Sequence, residues 1–308
     1  MPRNKKLDRP IILGVVGDSA VGKTTLSRGI ARILGEDRVT VICTDDYHAY
    51  DRTERAANGI SALDPKGNYI DILEQHLAQL RVGKPVLKPV YNHDHGTLDR
   101  PEYVVPREYV IAEGLLGYTT RAMRECYDVK IYLDPEEDLR RRWKVARDTT
   151  KRGYSEAQVL ASLEKRKNDS PAFIHPQRMF ADIIIRFQMP PGETRSEDVH
   201  LDVRHILRPT LPHPDFTKVI EASGNGMISL ELTRDAGKPV DVLEINGAIS
   251  DRQAIRIEDY LWGQIPEASY LREMVGRIEG PVRSHPLALT QLLAAYHMVK
   301  AALGEHAL

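Results

Sequence analysis

Eight consecutive residues carry the strongest chemistry in the chain. Gly17-Asp18-Ser19-Ala20-Val21-Gly22-Lys23-Thr24 has the spacing G-x-x-x-x-G-K-[ST], after an apolar run and before an amphipathic stretch. In that setting the glycines let backbone N–H groups curl around phosphates, and the N-terminus of the following helix adds positive potential. Lys23 reaches the β- and γ-phosphates and the Thr24 hydroxyl can ligate Mg²⁺, so Gly17 to Thr25 form the expected ATP site. The alternative is a functionless glycine-rich turn, and it leaves both flanking elements to coincidence.

A second cluster follows Val39 to Thr44, where Asp45-Asp46-Tyr47-His48 places carboxylates at the end of an apolar run. If that run is a strand beside the phosphate-loop strand, its carboxyl end faces the ligand crevice of an open α/β sheet. A carboxylate there can take the proton of a hydroxyl attacking the γ-phosphate. Aspartates also end strands as plain caps and turns, and pattern alone does not choose. A third cluster, Arg140-Arg141-Arg142, Lys144, Arg147, Lys151 and Arg152, shares one helical stretch with Asp138 and Asp148. Such a run is either a solvated face or a set of cations that surround a phosphoryl-transfer transition state and exclude water.

Positioning these groups requires alternating strands and helices. Strands are predicted at Ile11 to Val16, Val39 to Cys43, Tyr109 to Ala112, Val129 to Leu133 and Ile183 to Phe187. Helices are predicted at Thr24 to Leu34, Asp71 to Arg81, Asp138 to Arg152 and Ser155 to Lys165, the last opened by Ser155-Glu156. Beyond Pro190-Pro191-Gly192 the pattern changes. Val219 to Leu232 and Val240 to Ile245, around a turn at Asp235 to Gly237, read as a β-hairpin, and a mainly helical tail runs from Asp251 to Leu303 with interruptions at Pro266, Pro281 and Pro286. The fold class is α/β: a P-loop NTPase-like three-layer fold with a mixed, mainly parallel central sheet extended by C-terminal antiparallel strands. Residues 1–189 form the kinase core, with a lid at about 138–170, and residues 190–308 extend the same domain.

Composition narrows the classes. The 308 residues carry 43 basic and 44 acidic side chains, a net charge of −1, which gives no general attraction to nucleic acid or to an anionic membrane. The two cysteines, Cys43 and Cys126, are too few for a disulfide scaffold and too far apart for a paired-cysteine zinc site, so a reducing cytoplasm fits. Ile11 to Val16 is too short for a signal segment, and His285 to Val299, broken by Pro286, Gln291 and His297, falls short of a membrane span. The expected partner is a small phosphorylated molecule.

Asp45-Asp46-Tyr47-His48, Asp51-Arg52-Thr53 and Ala62-Leu63-Asp64-Pro65 together resemble the phosphoribulokinase family, in its chloroplast-type branch. The similarity continues through Lys88-Pro89-Val90-Tyr91-Asn92-His93, Val110-Ile111-Ala112-Glu113-Gly114-Leu115, Ile131-Tyr132-Leu133-Asp134, Trp143-Lys144-Val145-Ala146-Arg147-Asp148, Arg152-Gly153 and Arg166-Lys167. It reaches Val242-Leu243-Glu244-Ile245-Asn246-Gly247 and Asp251-Arg252. The resemblance implies ATP- and Mg²⁺-dependent phosphorylation of the C1 hydroxyl of D-ribulose 5-phosphate in a cytoplasmic homodimer. It makes Asp45 the base, with Lys23, Lys144, Arg147 and Asp148 in catalysis. His48, Arg52, Tyr91, Asn92, His93, Arg152 and Arg166 would bind the sugar phosphate, Glu113 would join Thr24 on the metal, and Arg140 to Arg142 would be mostly solvated. A uridine-kinase-like enzyme with another acceptor and a non-catalytic nucleotide-binding regulator are the competing readings.

The chain departs from those relatives at three places. Val21 stands where redox-regulated members carry a phosphate-loop cysteine whose partner position is Cys43. Leu116-Gly117 replaces His-Pro, and Asn168-Asp169-Ser170-Pro171 replaces Pro-Asp-Phe.

Overall fold

The structure, a computed structural model, describes residues 7–192, 200–224, 226–265, 274–277 and 283–305. Pro266 and Pro281 lie outside them. In chain order the elements are β1 (Ile11–Gly17), α1 (Lys23–Leu34), β2 (Val39–Cys43), α2 (Arg52–Ala57), α3 (Ile70–Arg81), β3 (Val86–Asn92), β4 (Thr97–Val104) and β5 (Tyr109–Gly114). There follow α4 (Arg121–Cys126), β6 (Val129–Leu133), α5 (Glu137–Lys151), α6 (Glu156–Lys165), β7 (Ile183–Gln188), β8 (Asp202–Leu207), α7 (Phe216–Ser223), β9 (Ile228–Asp235), β10 (Lys238–Ile245), α8 (Asp251–Gly263) and α9 (His285–Ala302).

Among the described residues the main sheet runs β2-β5-β1-β6-β7-β8-β10-β9. The first five strands are parallel, and β8, β10 and β9 extend the sheet in antiparallel fashion. Every residue of β1 and β5 is buried, as befits parallel strands covered on both faces. The pleat divides them: Ile11, Leu13 and Val15 join a core with α1 and α9, while Ile12 and Val16 join a second core with Leu73 and Leu77 of α3 and Met123 of α4. This is the three-layer arrangement expected.

The low-charge stretch that ends the chain is the long helix α9, buried on nearly all sides. It crosses α1 so closely that a Cβ on Gly29 would fall 2.0 Å from the Gln291 side-chain amide, so any side chain there would have to displace Gln291. Gln291 in turn donates to the Thr25 carbonyl at 3.1 Å, tying this helix to the phosphate-loop helix. Among the described residues no helix is long and apolar enough to cross a membrane.

Several sequence expectations need correction. β2 is not beside the phosphate-loop strand: β5 lies between them, and β2 is the sheet edge, with Val41 48% exposed. Val219 to Ser223 belong to helix α7, whose N-cap Asp215 accepts from the Thr217 N–H at 3.1 Å; the hairpin is Ile228–Asp235 with Lys238–Ile245. Beyond the short helices α2 and α4, which the sequence pattern did not mark, two strand features went unforeseen. One is β8, whose outward residues include Arg204 and whose inward face carries the buried His205. The other is the separate ribbon β3–β4, where Pro89 sits at a register shift between Lys88 and Val90.

Candidate active site

The phosphate loop closes the gap between β1 and α1. Gly22 takes φ +96°, a conformation that suits glycine, and Ala20 accepts φ +67° two residues earlier. The Lys23 ammonium lies over the loop and donates to the carbonyls of Gly17 (3.0 Å) and Asp18 (2.9 Å). The buried Asp18 accepts from the Ser19 N–H at 2.6 Å through one oxygen, and its other oxygen faces Arg140 at 3.6 Å.

Glu113 reaches the same place from the carboxyl end of β5. Among the described residues its buried Oε2 has no hydrogen-bond partner. Burial pushes its carboxyl up, with Lys23 and a hydrogen bond from Thr24 pulling the other way. A buried carboxylate with one unpartnered oxygen, beside the Thr24 hydroxyl, is the donor pair a hard divalent cation takes.

The tight turn Thr44–Tyr47 after β2 separates the roles of the two aspartates. Asp46 is fully engaged: the buried Lys88 ammonium holds one oxygen and the Tyr91 N–H donates to the other at 3.2 Å. Asp45 accepts from the Leu115 N–H at 2.9 Å and borders the cleft. The cleft is a cavity of about 1910 Å³ that runs from the phosphate loop past Asp45 to His48, Tyr91 and His93.

On that far side His48 is buried, with Nδ1 2.6 Å from Asn68 Oδ1 and its ring edge-on to Tyr91 at 4.6 Å. Burial above all holds His48 down at about 4 and lowers His93 as well, so both are neutral at pH 7. Tyr91 also meets His93 at 5.0 Å. Arg52, exposed at the start of α2, donates to the His93 carbonyl at 2.8 Å. Asn92 does not join them: its side-chain Oδ1 accepts from the N–H groups of Asp94 and His95, so it closes the β3–β4 turn instead of lining the cleft.

The basic face of α5 covers the phosphate loop. Asp148 sits between Lys144 (3.0 Å) and Arg147 (2.8 Å), with Arg152 at 3.5 Å. Burial pushes the Asp148 carboxyl up, but the hydrogen bonds from Arg147 and Lys144 outweigh it and leave it below the usual range. Arg147 also donates to Ser19 Oγ at 3.2 Å, which sets this helix directly on the loop. Burial lowers Arg152 and Arg166, and neighbouring cations, Arg147 and Arg55 respectively, add to it. The cleft therefore gathers positive charge with too few anions of its own.

A model of the phosphoribulokinase/uridine kinase family matches residues 12–192. The chain belongs to this family. Among family relatives, a phosphoribulokinase of Synechocystis is 42% identical over 181 residues, 59% of this chain and 54% of that one. A chloroplastic phosphoribulokinase of Spinacia oleracea is 38% identical over 215 residues, 64% of this chain and 52% of its own length. A uridine kinase of Latilactobacillus sakei is 31% identical over 184 residues, 57% of this chain but 85% of that enzyme. The chain thus spans about half the length of the phosphoribulokinases it matches. The fold is shared with a solved phosphoribulokinase of Rhodobacter spheroides, at a TM-score of 0.59 and 20% identity over 84% of this chain and 98% of that one.

Two residues of this family site escaped the sequence reading. Arg55 is buried, donates to the Tyr91 hydroxyl at 2.6 Å, and lies with its guanidinium 4.9 Å from the Tyr91 ring centre. Its signal was the capping box Asp51-Arg52-Thr53-Glu54, which starts α2 and turns position 55 inward. Arg140, expected to be solvated, has a side chain only 12% exposed between Asp18, Glu137 and the Ser19 carbonyl; Arg141 is exposed as expected. No spacing rule distinguishes Arg140 from its neighbours, because the distinction is made by the loop it meets.

Proposed function

We propose that this chain transfers the γ-phosphoryl group of ATP to the C1 hydroxyl of D-ribulose 5-phosphate, giving D-ribulose 1,5-bisphosphate and ADP. The observation that carries this reading is the division between the two aspartates. Asp46 is neutralised by Lys88, whereas Asp45 faces a cleft with a triphosphate loop on one side and Arg55, Tyr91 and His48 on the other.

In this reading the phosphate loop and Lys23 hold the triphosphate, and Arg147 and Lys144 on α5 approach the γ-phosphate as the lid settles, excluding water. Arg55, Arg52, Arg152 and Arg166 surround the 5-phosphate of the sugar. His48 and His93, neutral at pH 7, offer hydrogen bonds to its hydroxyls. Asp45, held by the Leu115 N–H, takes the C1 hydroxyl proton as the oxygen attacks. Thr24 and Glu113 would hold Mg²⁺, which neutralises charge between the β- and γ-phosphates when bound.

Measuring ADP release with ribulose 5-phosphate, ribose 5-phosphate and uridine tests the reading, and turnover with ribulose 5-phosphate alone is the expected result. One observation favours a nucleoside acceptor: the matched uridine kinase is covered over 85% of its length. The arginine-lined acceptor side favours an anionic sugar, and uridine turnover would reverse that choice. We further propose one folded unit that pairs into a homodimer in the cytoplasm. Free thiols at Cys43 and Cys126 and the exposed edge of β2 support this, and light scattering of the purified chain tests the pairing.

A further inference from the structure

Three side chains of different chemistry converge beside the cleft, whose wall Cys43 and His93 line. Cys43 ends β2, Asp46 follows in the next turn, and His93 comes from the β3–β4 turn. One donor atom from each lies within 4.8 Å of the other two. A thiol, an imidazole and a carboxylate together suit a borderline-soft cation of the zinc type, whereas magnesium takes oxygen donors.

The surroundings favour a cation. Burial above all pushes the Cys43 thiol up, so a metal must displace its proton, and the neighbouring carboxylates of Asp45, Asp46 and Glu113, which add to that shift, would stabilise a cation beside the sulfur. His93 is kept neutral by burial, the form in which imidazole ligates. Asp46 is already fixed by Lys88 and the Tyr91 N–H, and His93 by its ring contact with Tyr91. Zinc bonds of about 2.0–2.3 Å in a tetrahedron set the donors roughly 3.3–3.8 Å apart, so the cluster must tighten by about 1 Å. The Lys88 ion pair opposes that tightening, so a reversible site results, not a structural one.

We propose that Cys43, Asp46 and His93 form a reversible zinc-type site whose occupation shuts off the acceptor side of the cleft. Binding replaces the thiol proton by the metal and releases that proton to solvent, so affinity rises with pH. The fourth position faces the cleft, and the bound ion draws His93 away from the sugar beside Asp45. The inhibition rests on the kinase reading above; the binding does not.

Cobalt(II) and zinc(II) titrations of the full chain test it. One equivalent of cobalt should give thiolate-to-metal charge-transfer absorption, displaced by zinc. Cys43→Ser should abolish that absorption and weaken zinc binding by about 10- to 100-fold or more, while keeping metal-free turnover and resisting zinc. Asp45→Asn should keep the absorption although turnover is lost. Cobalt binding without thiolate absorption, equal zinc binding by Cys43→Ser, or full zinc occupancy with undiminished turnover would each overturn the proposal. Absence of turnover in the untreated chain would overturn the kinase reading instead, and the cobalt spectrum would still decide the site.

Discussion

The two sides of the cleft are built on opposite plans. The proposed donor side is one continuous segment, Gly17 to Thr25, a backbone loop over which Lys23 donates to the Gly17 and Asp18 carbonyls. The acceptor side is assembled from His48 after β2, Arg52 and Arg55 on α2, and Tyr91 and His93 on the β3–β4 ribbon. On the proposed reading, triphosphate binding should survive changes of most single side chains, whereas sugar binding should depend on a few, each fixed by tertiary contacts. Asp45 stands between the two sides.

The largest expected effect tests that position. Asp45→Asn should lower turnover by about 10²–10⁴-fold with ATP affinity nearly unchanged, because only proton acceptance is lost. A variant within tenfold of wild type would place the base elsewhere. Next comes the contrast within α2. Arg55→Ala removes a buried, charged hydrogen bond of about 1.5–3 kcal/mol and should raise the ribulose 5-phosphate KM about 10- to 100-fold, the ATP KM little. Arg52→Ala, at an exposed position, should act in the same direction but less. Equal effects on both substrates would erase the distinction between the sides.

Acid should separate the two sides more gently. His48 has a folded pKa of about 4, below the unfolded value near 6.5, and His93 is also lowered. The share of His48 is complete above about pH 6.5 and is lost as the pH falls towards 4, since the opened chain takes up protons first, and His93 acts in the same direction. Hydrogen exchange corrected for intrinsic rates should therefore show the segments around His48 and His93 opening between pH 7 and 5 before the phosphate loop. Simultaneous opening would mean the two sides form one cooperative unit.

The smallest expected effect is none. Val21 carries no thiol, and Cys43 ends β2 opposite Glu113, whereas Cys126 precedes Val129, which pairs with Leu13 near the start of β1. Cys43 on β2 and Cys126 before β6 are separated by three strand spacings, across β5 and β1, or about 14 Å at roughly 4.8 Å each, beyond disulfide reach of roughly 7 Å. Oxidised dithiothreitol followed by reduced thioredoxin should leave activity unchanged. Reversible loss with a Cys43–Cys126 crosslink would show that the two sheet ends can meet.

Much of this could be read along the chain wherever the signal was local. The phosphate loop, the strands β1, β2 and β6 and the helices α1, α3, α5 and α6 were legible because apolar periodicity and capping are written in neighbouring residues. The β3–β4 ribbon was not: Pro89 and Pro101 argue against strands, and Leu87, Leu98 and Tyr103 face outwards, so no alternation marks a core side. β8 was obscured by Arg204 and His205, and α7 by β-branched residues that read as strand.

The sequence by itself determined the phosphate-loop segment between β1 and α1 and which carboxylates end strands, because both depend on residues in succession and on backbone geometry. Only the tertiary structure decided that β5 separates β2 from β1, bringing Glu113 to the phosphate loop. It also decided that Lys88 occupies Asp46 and leaves Asp45 facing the cleft, and that Arg55 and Arg140 are held at the site. Those outcomes turn on which charges meet across 40 or more residues of chain, as Asp46 meets Lys88. Packing sets such meetings, and no local spacing encodes them.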